Sequence, residues 1–152
     1  MVTVERGGAG TPPITVPVVQ SDPGLFEIQP STLANQGAIL NQDGSVNSSA
    51  NPAPRGSIVS LFGTGMGLMD PLPEDGQVIN DAEHQLRLPV QVMFGGLIPG
   101  EVLYAGAAPG LVAGVIQINV RIPQNLLAGA LGIFMRLGDS LLSSTLATVA
   151  VK

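Results

Sequence analysis

The residues best suited to chemistry in this chain are clustered oxygen ligands. Asn41, Asp43 and Asn47 surround Gly44 with a spacing that resembles part of a calcium loop. Calcium takes six or more oxygens, usually including a bidentate carboxylate, and this stretch holds only one carboxylate. An Asp-Gly pair already favours a tight turn with positive φ. The sequence therefore predicts a compact hairpin here, with calcium binding as the alternative.

A second group of oxygen ligands lies in the acidic, proline-bearing stretch 70–83. Its composition predicts an exposed excursion with at most a short strand over 77–79. Calcium is the alternative there too. We assign no metal ligand in either stretch.

Catalytic constellations are poorly supported. His84 is the only histidine, and no G-x-S-x-G motif supplies a nucleophile to pair with it. We therefore predict an exposed loop side chain. Two carboxylates could cleave a glycosidic bond, but aromatic platforms for sugar rings are nearly absent. Tyr104 and the four phenylalanines are predicted to be core residues: Phe26, Phe62, Phe94 and Phe134. No catalytic residue is assigned, and we expect no enzymatic activity.

The glycine-rich stretch Gly63-Thr-Gly-Met-Gly67 follows an apolar run, as a phosphate-binding loop would. Such a loop works by opening a helix whose N-terminal amides face the phosphate. Pro71 and Pro73 follow closely and would stop a helix, and the lysine of a P-loop is missing. We predict a turn at the end of a strand and no bound cofactor.

The composition indicates the kind of fold that must hold these candidate residues in place. The 152 residues are 45% hydrophobic but only 3% aromatic, with 20 glycines and 13 prolines. This indicates many turns around an aliphatic core. Six Lys plus Arg at a net charge of −5 argue against nucleic-acid binding. The chain has no cysteine, which excludes disulfides and thiolate metal sites. No apolar run is long enough to span a membrane.

The clearest strand signal is 116–122, where four β-branched residues alternate with polar ones. Further short strands with turn signals between them predict an all-β fold, an immunoglobulin-like antiparallel β-sandwich over residues 21–152. The run 58–62 is apolar on both sides, which predicts a central strand. The predicted core comprises Ile58, Phe62, Val90, Val92, Phe94, Ile116, Ile118, Val120 and Val149.

Residues 1–20 are predicted to form an extra N-terminal β-hairpin. The segment 2–19 loosely resembles 133–151: each has a strand, a glycine turn, a small-residue loop and a strand ending in valine. This echo predicts the last hairpin of a preceding module; the alternative is a coincidence between two ordinary hairpins. Pro17 favours an edge position. The hairpin is expected to fold back as an edge of its own sandwich. The alternative is strand addition to another copy, which gives oligomers or filaments.

Several segments taken in order carry a family resemblance: 56–67, 89–96, 103–114 and 117–123, with 37–47 before them. They resemble the C-terminal module of large secreted bacterial proteins of unassigned function, which is similar to immunoglobulin-like sandwiches of the IPT/TIG type. The resemblance covers about residues 24–152 and carries over no functional residues. It implies an extracellular or cell-surface location.

The resemblance also implies a non-catalytic structural or adhesive module. Its expected partners are other β modules of a longer chain or other copies of itself through the hairpin. The first alternative is a carbohydrate- or peptide-binding domain that uses the loops at one end of the sandwich. The second is a subunit of a strand-exchanged oligomer or filament.

Overall fold

The computed structural model describes residues 1–29, 35–139 and 147–152, and its regular structure is all strand. No helix in these ranges is long and apolar enough to cross a membrane. The described strands are β1 (Glu5–Arg6), β2 (Ala9–Gly10), β3 (Gly24–Leu25), β4 (Glu27–Gln29), β5 (Asn35–Gly37), β6 (Ile39–Asn41), β7 (Ile58–Thr64), β8 (Met69–Asp70), β9 (Gln85–Leu86), β10 (Val90–Phe94), β11 (Ile98–Pro99), β12 (Glu101–Ala107), β13 (Ile116–Arg121), β14 (Gly129–Leu137) and β15 (Ala147–Val151).

Two sheets pack together into a sandwich, which confirms the predicted all-β sandwich fold. One sheet has the order β11-β10-β14-β15-β5-β4, and the other has the order β3-β7-β13-β12-β9-β8, with β6 also paired to β7. Among the described strands, the pairing is antiparallel except between β15 and β5, which run parallel, and Ala53 also forms a parallel bridge with Val151. Buried aliphatic side chains from both sheets form one core.

β13 lies centrally in its sheet, as its alternating pattern predicts. It pairs with β7 on one side and β12 on the other. Ile116, Ile118 and Val120 are buried, whereas Gln117 and Asn119 lie on the outer face. The outer residues form a polar ladder: Ser60 donates to Asn119 Oδ1 at 2.9 Å, and Gln117 Nε2 donates to the same oxygen at 2.8 Å.

The prediction of which β7 residues face the core is wrong. Val59 and Leu61 are fully buried, while Ile58 and Phe62 are only half-buried. The register against β13 explains which β7 residues face the core. Leu61 lies opposite the buried Ile118, and Phe62 lies opposite the outward Gln117. In a pleated strand, neighbours in sequence point to opposite faces. The strand is central, as predicted, but its apolar outer face does not reach the core.

In the other sheet, the predictions for β10 and β15 largely hold. Val92, Phe94 and Val149 are buried, and Val90 at the start of β10 is half-buried. Leu146, predicted as the start of the last strand, lies outside the described residues.

The aromatic residues are mostly peripheral, which corrects the prediction that all five lie in the core. Only Phe94 is fully buried. Phe26 is 39% exposed, and Phe134 covers Gly96 and Gly132 on the outer face of β14. The core is therefore almost entirely aliphatic, and Phe134 and Tyr104 lie over glycines instead.

Residues 1–20 form the predicted hairpin but not the predicted edge strand. β1 and β2 pair only with each other around Gly7 and Gly8, both of which have positive φ. Val2 and Ile14 extend the hairpin through two backbone hydrogen bonds of 2.8 and 2.9 Å. The fold-back prediction is wrong, because β1 and β2 form a sheet of their own and pair with no described strand of the sandwich. Residues 15–19, predicted to continue the strand that begins at Ile14, have no strand assignment, and Pro17 lacks an N–H.

Candidate functional site

The asparagines of the predicted calcium loop are structural. Asn47 is fully buried, and its side chain pairs with the backbone of Ala150 like a neighbouring strand. Its Nδ2 donates to the Ala150 carbonyl at 2.9 Å, and its Oδ1 accepts from the Ala150 N–H at 2.8 Å. The same Nδ2 donates to Asn41 Oδ1 at 2.9 Å. The side-chain oxygens of Asn41 and Asn47 already accept hydrogen bonds from N–H groups, so they do not form a preformed set of calcium ligands.

The turn between β6 and Val46 has the predicted hairpin geometry. Leu40 and Val46 form an antiparallel bridge, and Gly44 has a φ of 81°. Asp43 Oδ1 accepts from the Ser45 hydroxyl at 2.5 Å and from the Ser45 N–H at 3.0 Å. These hydrogen bonds, the hydroxyl's above all, lower the pKa of Asp43 below its ordinary 3.8. One oxygen of the single carboxylate is thus already engaged within the turn.

The acidic stretch 70–83 is an exposed excursion anchored at one point. Val78 bridges Val112, Ile79 is fully buried, and the Ile79 N–H donates to the Leu111 carbonyl at 2.9 Å. Residues 77–79 therefore hold an isolated bridge rather than an assigned strand, within the prediction of at most a short strand there. Across residues 1–29, 35–139 and 147–152, no three His, Cys, Asp or Glu side chains come together as a metal site.

His84 closes the base of this excursion. Its Nδ1 lies 2.7 Å from the Pro71 carbonyl oxygen, and because a carbonyl only accepts, Nδ1 carries the proton and donates. The ring is half-buried rather than exposed as predicted. The hydrogen bond joins the two ends of the excursion, which is a structural role.

Tyr104 is also structural. Its hydroxyl donates to the Ala107 carbonyl at 2.6 Å, and its ring lies over Gly106, where an added Cβ would lie 2.7 Å from the hydroxyl oxygen. Burial, with a further contribution from the charge of Asp81, raises the pKa of Tyr104 above its ordinary 10.0.

We expect folded protein to lose stability at alkaline pH through Tyr104. Because its pKa is raised on folding, its contribution is fully present below the unfolded pKa and is lost as pH rises through the folded pKa. The chain has one tyrosine and no tryptophan, so near-ultraviolet absorbance reports this phenol alone. The titration midpoint should lie above 10.0 in native buffer and fall in denaturant. Tyr104→Phe should remove the part of the stability loss at alkaline pH that comes from ionisation of the phenol. Identical titration midpoints in native buffer and in denaturant would contradict the prediction.

The glycine-rich residues 63–67 form a turn that packs against the chain at Asp22. Gly65 has a φ of 73°, and a side chain there would overlap the Asp22 carbonyl. The Asp22 N–H donates to the Gly65 carbonyl at 2.8 Å. Met66 points into the core. The predicted strand-end turn is therefore present, and its backbone faces the chain rather than a phosphate.

A largely apolar groove of about 630 Å³ opens where the N-terminal segment meets this turn. Residues 18–22 form one wall, and Leu68 and Leu88 lie on the other. Arg87 lies at the groove and approaches Asp70 at 4.0 Å. No local sequence pattern predicts this groove, because its walls come from three separate segments.

The apolar residues of 1–20 are exposed without exception. They are Met1, Val2, Val4, Ile14, Val16, Val18 and Val19, each at least 46% exposed. The hairpin thus presents a set of side chains that elsewhere in the described chain mostly point into the core. No family model, curated protein or solved structure matches the chain.

Proposed function

We propose that this chain is a non-catalytic structural or adhesive module of an extracellular bacterial protein, with an immunoglobulin-like sandwich of the IPT/TIG type. The observation that carries the proposal is the N-terminal hairpin, which exposes its apolar side chains on a sheet of its own. The partner is another β module of a longer chain or another copy of this one.

The hairpin's size supports a partner. An isolated two-stranded hairpin is marginally stable in water, and this one is held by the pairs Glu5–Gly10 and Arg6–Ala9, the Val2–Ile14 bridge and two hydrogen bonds between Val4 and Thr11. Contiguous exposed apolar surface marks an interaction site. Free strand edges add a second means of attachment.

The way the hairpin is mounted supports the same function. Its link to the sandwich is fixed by the Asp22–Gly65 hydrogen bond and by β3, which pairs with β7. Asp22 lies so close to Gly65 that a side chain at position 65 would overlap the Asp22 carbonyl. This anchor tethers the hairpin at one end of the sandwich, where its exposed valines are available to a partner.

Deletion of residues 1–20 tests this function. In the isolated chain the available partner is another copy, so we expect the full chain to self-associate with rising concentration in light scattering. The shortened chain should stay monomeric and keep a cooperative thermal transition, since every deleted residue is exposed.

Point variants of the full chain separate contact from chain length. Val4→Ser combined with Ile14→Ser should weaken self-association, whereas Leu127→Ser, a change at an 81% exposed leucine elsewhere, should not. A full chain that stays monomeric at all accessible concentrations would contradict self-association through the hairpin. Equal association of all three proteins would place the contact elsewhere.

A further inference from the structure

A cleft of about 460 Å³, lined by both polar and apolar groups, lies at the other end of β7 from the apolar groove. Gln42 and Asp43 from the β6 turn form one side, and Asn51, Pro52 and Pro54 form another. Lys152 completes the lining. The groove adjoins Gly65, after the last residue of β7, whereas this cleft includes Ser57, just before its first.

The walls of the cleft are cross-linked by side-chain amides, those of the buried Asn41 and the exposed Asn51. Asn41 Nδ2 donates to the Asn51 carbonyl at 3.1 Å, and Asn41 is itself held by Asn47. Asn51 Nδ2 donates to Ser45 Oγ at 2.8 Å and to the Val46 carbonyl at 3.1 Å. A site whose groups are already ordered loses little entropy when a ligand binds.

The Lys152 side chain is mounted on an equally fixed backbone. The Lys152 N–H donates to the Ala53 carbonyl at 2.9 Å, and the Arg55 N–H donates to the Lys152 carbonyl at 3.2 Å. These bonds hold its Cα beside the loop that carries the two prolines, so the ammonium group stays within reach of the cleft.

Four polar groups around the cleft have unused hydrogen-bonding capacity among the described residues. Gln42 Oε1 accepts from the Ile58 N–H at 3.1 Å, which fixes the amide and leaves its Nε2 as a free donor. Asp43 Oδ1 is engaged by Ser45, which leaves Oδ2 as a free acceptor. Asn51 Oδ1 is a further acceptor, and Lys152 Nζ is a further donor. The set is therefore two donors and two acceptors.

From this set we propose that the cleft binds a neutral carbohydrate. A sugar hydroxyl both donates and accepts, so adjacent hydroxyls can donate to Asp43 and Asn51 while accepting from Gln42 and Lys152. Asp43 and Lys152 carry opposite charges, so a simple anion or cation meets one repulsive group. The rings of Pro52 and Pro54 offer apolar surface to the C–H face of a pyranose. Bonds to charged groups are the stronger ones, so Asp43 and Lys152 carry most of the recognition.

The test is an amide NMR titration of the full chain with cellotetraose, maltotetraose and N-acetylchitotetraose as separate probes. We expect at least one to shift the Gln42 side-chain amide and the Gly44 and Asn51 backbone amides saturably. Asp43→Asn and Lys152→Met should each weaken that binding about fivefold or more. Asp43→Asn keeps an oxygen for the Ser45 N–H, and Lys152 is held through its backbone, so both variants should fold.

The matched controls are Asp75→Asn and Gln85→Ala, which change exposed residues outside the cleft and should bind as the wild type does. The proposal is overturned if none of the three probes shifts the cleft amides saturably, or if both cleft variants bind with unchanged affinity. It is also overturned if tetragalacturonate or a tripeptide binds the cleft more tightly than every neutral probe. None of these outcomes depends on the hairpin, because its deletion leaves the cleft residues in place.

Discussion

Val120→Asp is expected to unfold the sandwich. Val120 is fully buried on β13 and lies opposite Val59 of β7 and Val102 of β12. An aspartate there has no cation or donor to meet it, and an uncompensated buried charge costs about 3–5 kcal/mol. The whole folding free energy of a domain is about 5–15 kcal/mol. We expect a large fall in the urea midpoint or no cooperative transition at all.

Gln117→Glu is the matched control, because it adds a charge to the outer face of the same strand. It removes the donor to Asn119 Oδ1 and should lower the free energy of unfolding by about 1 kcal/mol or less. Val120→Asp that melts like the wild type would mean that the inner face of β13 does not pack against the opposite sheet.

Asn47→Leu is the second large effect we expect. The change keeps the branching at Cγ but leaves the Ala150 N–H and Asn41 Oδ1 without their partners, while the Ala150 carbonyl keeps only the Ala53 N–H as a donor. An unsatisfied buried polar group costs about 1–3 kcal/mol, so a loss of about 3 kcal/mol or more is expected in denaturant unfolding. The loss should appear as a lower midpoint, because the same surface is exposed on unfolding.

Asn47→Asp distinguishes hydrogen bonding from packing, since it keeps the shape. One oxygen can still accept from the Ala150 N–H, but the other faces the Ala150 carbonyl and Asn41 Oδ1, two acceptors. This variant should be strongly destabilised at neutral pH and partly recover in acid, where a protonated carboxyl can donate. Asn80→Leu, at an exposed position, should change stability by about 0.5 kcal/mol or less. Comparable stability of Asn47→Leu and Asn80→Leu would show that the Asn47 network contributes little.

The strands show which parts of the fold the sequence could predict. The polar positions of β13 fix which of its faces is buried, so its core residues are predicted correctly. β7 has apolar residues at 58, 59, 61 and 62, so its own pattern cannot distinguish the faces. Only its register against β13 does, because Leu61 lies opposite Ile118. The pairing of β7 with a distant strand therefore decides which of its faces is buried, which its own sequence pattern cannot do.

The candidate sites were predicted less well, for the same reason. Asn47 looks like an ordinary turn residue, and its partner Ala150 is 103 positions away. The groove and the cleft are each built from separate segments of the chain. The hairpin itself was predictable, since Gly7-Gly8 signals a tight turn, but no local pattern shows that its strands stay apart from the described strands of the sandwich.

The parallel pairing of β15 with β5 has a consequence for synthesis on the ribosome. β5, Asn47 and Ala53 all find their partners in residues 147–152, so the first half of the sandwich emerges with those partners still unmade. At roughly 5–20 residues per second, the intervening hundred positions take on the order of ten seconds to translate. During that wait β5 and the Asn47 loop lack the contacts that order them, and folding dominated by such distant contacts is slow. A nascent chain arrested before β15 should therefore be readily digested by protease, not a smaller folded domain.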